Sequence, residues 1–412
     1  MTTQQTQTIL LTGGRAPAAL ELARIFSRRG ARVVAVDSCG PFICAHSRHI
    51  SASLRVPSPR FEPEKYASAV LGFIREQKVD LVVPCTEETF YLAQMRDQFI
   101  GDCELLCEPI DTLRRLHHKG DFMQWADSLG MRTPKTQVFT KEQNIADKFE
   151  SVKAQLNSGQ PFVLKPAFTR FANEVIISSN GRYEPFDIKA FAGGRDLVYQ
   201  QFLPGRQINT FALAHEGKLL FNVAYHGDWT AGKGASIHFA PVDHAGCREW
   251  IETFVAKTNF SGQISFDFIQ EARTGQVRPI ECNPRVTSGV HLLAEIPEVY
   301  DAYVHKTPVD LSFDRLKAAQ VRLAMVTFGI LPNLRKPRKL AKFAWQFASA
   351  RDVVLDTSDP RPFFYQFYIY QHFMRRALLK RVPLQHVAIE DMVWNDDVLC
   401  MQPVTELEAR GA

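Results

Sequence analysis

Asp267 stands in the run Ser261-Gly262-Gln263-Ile264-Ser265-Phe266-Asp267-Phe268, and Glu281, Asn283 and Arg285 stand in Arg278-Pro279-Ile280-Glu281-Cys282-Asn283-Pro284-Arg285. Both runs alternate in the period-two manner of strands, and Glu271-Ala272-Arg273-Thr274-Gly275-Gln276 between them is a polar, glycine-containing reversal. A hairpin turning near Thr274 sets Asp267 opposite Glu281, with Asn283 two residues on along the same face. Like charges opposite each other destabilise a sheet, so the pair calls for a cation. Two carboxylates and an amide oxygen are hard ligands that suit magnesium, or manganese, held jointly with substrate phosphates. Arg285 adds a fixed positive charge beside them. The same spacing also fits an exposed hairpin with scattered acids.

The surrounding elements must bring substrates to this hairpin. Thr8–Thr12 reads as a strand, Ala18–Arg29 as a helix and Arg32–Asp37 as a second strand, which is a unit of a parallel sheet. The turn Gly13-Gly14-Arg15-Ala16-Pro17 lacks the third glycine of a dinucleotide fingerprint. A helix over Glu64–Gln77 and a strand over Asp80–Pro84 follow, leading into Thr86, Glu87 and Glu88. Ligands of parallel sheets bind beyond the strand ends, where Glu87 and Glu88 could hold a cationic substrate group. Alternatively Thr86 caps the next helix and the acids complement its dipole.

Leu113–Gly130 reads as one helix leaving this domain. Lys165 closes the strand Pro161–Pro166, where an ammonium can meet phosphate oxygens. Strands over Asn209–Ala214 and Leu219–Tyr225 precede a long loop, His226–Ser236, whose glycines and Lys233 suit closure over an anion. A helix over Ala245–Thr258 leads to the hairpin, after which Ser288 and His291 could border an acceptor substrate. A histidine simply hydrogen-bonded at that junction is the alternative.

An acid on one strand followed by Glu281-Cys282-Asn283-Pro284-Arg285 on the next resembles the signature of the ATP-grasp carboxylate-amine ligases, among them D-alanyl-D-alanine ligase, biotin carboxylase and the carbamoyl-phosphate synthetase large subunit. The resemblance runs from about residue 8 to 300. It implies an α/β chain with an ATP-grasp fold, an N-terminal parallel-sheet (Rossmann-like) domain and a mainly helical C-terminal extension. The domains expected are residues 1–112, 113–305 (lobes 131–205 and 206–305) and 306–412. It implies ATP and magnesium, with Asp267, Glu281 and Asn283 as metal ligands, Lys119 and Lys165 on the phosphates, and Arg285 on the acyl phosphate. The segment Gln200-Gln201-Phe202-Leu203 matches the hinge that meets adenine, with Gln201 and Gln207 where many members carry glutamates. The flap Ala167–Asn173 departs from the family in having no glycine, and Arg170 is the candidate to replace its amide donors.

The implied reaction joins a small-molecule carboxylate to an amine through an acyl phosphate, releasing ADP and phosphate. A non-catalytic ATP-binding or membrane-associated protein on the same scaffold stays open, as does a dinucleotide-dependent oxidoreductase resting on the first unit alone.

The chain of 412 residues is long enough for several domains, and 45% hydrophobic with 23% charged residues is ordinary globular composition. A polar start and the lack of any apolar run near 20 residues point to a cytoplasmic protein. Eight scattered cysteines indicate neither zinc nor a disulfide framework, and a net charge of +5 is too weak to argue for nucleic acid. Toward the C-terminus, Phe363–Tyr370 is intensely aromatic and precedes Arg375-Arg376 and Lys380-Arg381. Such a segment can lie on an anionic membrane surface or meet a lipid-like substrate, or it can cap the core or form a homodimer face.

Overall fold

Short β-branched runs alternating with amphipathic helices build the first layer. The computed structural model describes residues 6–141, 145–168, 174–231, 235–330, 337–382 and 384–396. β1 (Thr8–Leu11), α1 (Pro17–Arg28), β2 (Arg32–Asp37), β3 (Ala52–Arg55), α2 (Pro63–Gln77), β4 (Leu81–Val83), α3 (Glu88–Gln94) and β5 (Glu104–Leu105) form an α/β domain. Its sheet is parallel in the order β3-β2-β1-β4-β5. Pro17 opens α1 at a position where its missing N–H costs nothing, and the apolar stripe of α1 from Ala18 to Phe26 is buried.

The helix expected over Leu113–Gly130 is two helices, α4 (Ile110–His117) and α5 (Lys119–Ser128). His118 between them is extended, and its Nδ1 accepts the Asp121 N–H at 3.0 Å. The imidazole thus satisfies an orphan donor at the new helix start, which lets the chain turn and bury Lys119. Gly120 packs so closely on β6 (Thr136–Phe139) that a Cβ there would collide with Val138.

After β6 come α6 (Ile145–Leu156), β7 (Phe162–Pro166), β8 (Ile176–Ser178), α7 (Ile188–Ala192) and β9 (Leu197–Gln201). Their strands form an antiparallel sheet in the order β6-β9-β7-β8. The larger sheet runs β14-β13-β10-β11-β12-β15-β16, built from β10 (Gly205–His215), β11 (Lys218–Ala231), β12 (Ala235–Val242), β13 (Gly262–Glu271), β14 (Val277–Asn283), β15 (Ala319–Gln320) and β16 (Arg351–Asp352). The loop expected over His226–Ser236 is instead mostly strand. β11 pairs with β12 from Ala224 to Ala231, bulging near Gly227 and Trp229. Gly227 lies against Ser236, so that glycine serves close strand pairing rather than a mobile lid. Lys233 lies outside the described residues.

Helix α8 (Ala245–Thr258) ends at Asn259 in the left-handed region and covers one face of the large sheet. There Trp250 and Phe254 pack on Phe266 and Phe268 of β13 and on Phe122 of α5. Because side chains alternate along a strand, this burial of Phe266 and Phe268 sends Asp267 to the opposite face. Truncating Phe266 to alanine costs about 3–5 kcal/mol.

Beyond α9 (Val299–His305), the short α10 (Arg322–Ala324) and a π-helical turn over Met325–Ile330, the chain forms α11 (Pro337–Ser349), α12 (Arg361–Lys380) and α13 (Leu384–Val387). The segment after α13 returns across the carboxyl ends of the N-terminal strands. Asp391 there accepts from Arg15 and from Ser38, each at 2.7 Å, and Trp394 stacks on Phe90 with ring centroids 4.6 Å apart. Arg15 also pairs with Asp37, the acid at the tip of β2. The crevice of a dinucleotide site is therefore filled by the chain itself, which removes the support for the oxidoreductase reading.

Glu21 of α1, His291 and Arg351 form a buried cluster that ties this domain to the large sheet. His291 Nδ1 lies 2.9 Å from Glu21 Oε2, and Arg351 bonds both that carboxylate and the His291 carbonyl. Burial pushes the Glu21 carboxyl up, but Arg351 and His291 outweigh it and hold it below its ordinary value. The ionised form is thus favoured by folding, so its contribution is complete at neutral pH and is lost as pH falls below the ordinary carboxyl range near 4.5. Glu21→Gln is expected to cost about 3 kcal/mol at neutral pH, where it leaves Arg351 uncompensated. Denaturant titrations should show the gap to the parent chain narrowing at pH 4.

Candidate active site

The hairpin β13–β14 carries Asp267 directly opposite Glu281, with Ser265 opposite Asn283 and a bulge between Asp267 and Phe268. With Phe266 and Cys282 turned into the core, Asp267, Glu281 and Asn283 share the other face. Asn283 Nδ2 donates to Glu281 Oε1 at 3.3 Å, and Gln207 Nε2 donates to Asp267 Oδ2 at 3.4 Å. Burial raises the Asp267 carboxyl well above the usual range and Glu281 raises it further, while Arg285, Lys119 and Lys165 pull the other way. Two carboxylates pressed together in this way fit a divalent cation, which would relieve their repulsion. Among the described residues no group of three or more His, Cys, Asp or Glu could hold a metal. The donor set is a pair of carboxylates with amide oxygens, the kind that suits magnesium shared with phosphates.

Lys119, at the start of α5, and Lys165, on β7 of the four-stranded sheet, reach the same cleft. Lys119 Nζ lies 3.6 Å from Glu281 Oε2. Lys165 Nζ donates to Gln200 Oε1 at 3.1 Å and to the Ile280 carbonyl at 3.0 Å, bridging β7, β9 and β14. Burial, and then the neighbouring Lys119, lower the Lys165 ammonium to about 8 against the opposing pull of Glu281 and Asp267.

The hinge residues divide. Gln200 is buried, its side chain bonded to Lys165 and Thr136, so that side chain positions the lysine. Gln201 is exposed and paired through its backbone with Lys135, Phe202 is half-buried and Leu203 is buried where the chain crosses into β10. Gln207 sits on the carboxylate side, beside Asp267 and Asn209.

Arg285 spans the gap to the N-terminal domain. Its guanidinium lies 3.9 Å from Glu87 Oε1 and bonds Asn283 Oδ1 at 3.5 Å. Glu87 also accepts the Trp394 N–H at 3.2 Å. Glu88 turns away from this space. Its buried carboxylate accepts from the Thr12 hydroxyl and the backbone N–H groups of Cys85 and Thr86, which locks the turn before α3. Thr86 bonds the Glu88 carboxylate and does not cap α3. His291 is buried against Glu21 and stacked on Phe239, the hydrogen-bonded arrangement given as the alternative for it. Ser288 stays half-buried at the start of the turn after the hairpin. Arg170 lies outside the described residues.

Three residues join the site that the sequence did not suggest. Asn209 of β10 is paired with Asp267 in register and is buried. Tyr225 of β11 is buried with its hydroxyl bonded to Thr287, and burial together with nearby Asp267 holds it above its ordinary value. Trp394 arrives from the end of the described chain. Asn209 alone carried a signal, since it alternates with Gln207 on one strand face.

No family model matches the sequence, and no curated protein does. Solved structures share its fold. The biotin carboxylase domain of Hydrogenobacter thermophilus 2-oxoglutarate carboxylase, in complex with MgADP, ADP and bicarbonate, is 14% identical, with 76% of this chain and 74% of that one covered at a TM-score of 0.56. N5-carboxyaminoimidazole synthetase from Staphylococcus aureus, complexed with ADP, is 14% identical over 80% of this chain and 86% of that one, at 0.57. An L-amino acid ligase from Bacillus licheniformis is 15% identical over 78% and 74%, at 0.51. The three-sheet framework, the hairpin signature and these likenesses agree that the chain has the ATP-grasp fold.

Proposed function

We propose that the chain is an ATP-dependent ligase that activates a carboxylate as an acyl phosphate and joins it to an amine, releasing ADP and phosphate. The observation that carries this reading is one cleft in which the Asp267–Glu281 pair faces two buried lysines, Lys119 and Lys165. Such an arrangement neutralises and positions phosphates and supplies no protein nucleophile, which is what phosphoryl transfer to a bound carboxylate asks for. The MgADP held by the H. thermophilus domain and the name of the B. licheniformis ligase support the same class.

Asp267, Glu281 and Asn283 would hold magnesium or manganese, which when bound supplies charge neutralisation of the phosphates. Lys119 and Lys165 place two cations against the phosphate chain, and Gln200 fixes the second of them. The segment Gln201–Leu203 borders the base at the crossing between sheets. The carboxylate oxygen attacks the terminal phosphorus, ADP leaves, and the amine then displaces phosphate from the acyl carbon and loses a proton. Arg285, between Asn283 and Glu87, lies where it can stabilise the negative charge that develops on the acyl oxygen. Glu87, which faces Arg285 and accepts the Trp394 N–H, is the carboxylate we assign to the amine side.

Nucleotide product analysis with ATP, magnesium and a mixed pool of carboxylic acids, amino acids and amines tests the reading. ADP and phosphate that depend on the pool are expected. AMP and pyrophosphate would instead mean adenylation and overturn it, whereas ATP binding without any turnover would favour a non-catalytic scaffold.

A further inference from the structure

Helix α12 is apolar on two faces. Pro362, Ile369, Phe373 and Ala377 turn inward. They pack toward the 3-10 turn Ile43–His46 and α13, and Tyr365 stacks on His46. An ordinary surface helix would be polar on its other side. Here Phe364, Phe367, Tyr368, Leu378, Leu379 and Val382 are exposed, Phe364 by 67% and Leu379 by 83%. Those within the helix form an interrupted outward stripe of two clusters, Phe364, Phe367 and Tyr368, then Leu378 and Leu379, with Gln371 and Arg375 between them; Val382 follows just past the helix end.

The charges along this stripe have one sign. The helix sequence contains no Asp or Glu. Glu390 pairs with Arg376 and Lys380, at 2.6 and 2.7 Å. Arg361, Arg375 and Arg381 have no ion pair among the described residues. The positive field is felt locally: burial and then Arg376, Arg55 and Arg375 hold the His372 imidazole below its ordinary value.

We infer that the outer face of α12 docks on an anionic lipid surface, with its aromatic and leucine side chains in the headgroup boundary and its unpaired arginines on lipid phosphates. Tyrosines suit that boundary because the ring is apolar and the hydroxyl stays wet. Four cations in twenty residues rule out a span, and no helix among the described residues is long and apolar enough to cross a membrane. A helix of this length lying in the plane offers roughly 30 Å of contact. A second copy of the chain fits the face less well, since every charge on it is a cation and a like face would meet it with cations. The inference does not depend on the ligase reading and is tested without nucleotide.

The full chain should be floated with vesicles of phosphatidylcholine alone and of phosphatidylcholine mixed with phosphatidylglycerol. Binding to the mixed vesicles only, weakened by salt, is expected. Each arginine near the surface contributes about fivefold, so Arg361→Gln with Arg375→Gln should lower partitioning by roughly 25-fold. Phe364→Ser with Leu378→Ser should also lower it, and both pairs lie on an exposed face, so the thermal midpoint should stay unchanged. Equal binding to both vesicle types, or to neither, would overturn the proposal. So would a concentration-dependent dimer in sedimentation that the Phe364→Ser, Leu378→Ser variant loses, since the face would then join two copies.

Discussion

Glu281→Ala is expected to lower pool-dependent ADP release by about a thousandfold or more while leaving the fold intact. Glu281 is the carboxylate on which the cleft converges: Asp267 lies opposite it, Asn283 donates to it and Lys119 approaches it. Removing it takes away half of the acidic pair and the carboxylate that lies 3.6 Å from Lys119. The same change relieves the repulsion that raises the Asp267 carboxyl, so stability should hold or rise slightly. The measurement is steady-state ADP release beside a thermal melt. Full turnover in a well-folded variant would refute the assignment, and a collapse of the melt would make the residue structural instead.

The pairing of Asp267 with Glu281 could be read in advance because everything that fixes it is local: two alternating runs and one polar turn. The bounds of α8 were legible for the same reason, with a periodic apolar face ending at an asparagine that adopts the left-handed region. Residues placed by distant contacts were not. Asn209 enters the site through β10, whose register with β13 spans more than fifty residues of sequence, and Tyr225 through β11, which pairs with β10. The place of His291 after the hairpin allowed either an acceptor-side position or a simple hydrogen bond, and the partners that hold it in the core, Glu21 and Arg351, are remote in sequence. Glycines misled in the opposite way, since Gly227 reads as loop and serves a bulge. Nothing in the residues near Trp394 announces that this segment closes the N-terminal sheet. Its aromatic ring only gains meaning once Phe90 is beneath it.

Lys165→Ala should lower turnover by about a hundredfold to a thousandfold, and Lys165→Met should do so while raising stability. The ammonium is buried, is lowered to about 8 and has Lys119 as a like-charged neighbour. Its folded value lies below the ordinary one, so the charged form is disfavoured by folding, and holding that charge at neutral pH costs stability. An apolar side chain of similar length removes the cost, for a gain of about 1–3 kcal/mol. Nucleotide phosphates reverse the balance, because they favour the charged form. Below pH 8 the free protein already carries the proton. Above it the proton must be taken up on binding, so affinity should fall by up to about tenfold per pH unit. Titrations of ATP across pH 7 to 9.5 would show this decline in the parent chain and a flatter profile in Lys165→Arg, whose guanidinium does not titrate in that range. A methionine variant that melts several degrees lower, with an unchanged pH profile, would instead make the two hydrogen bonds to Gln200 and Ile280 the residue's main purpose.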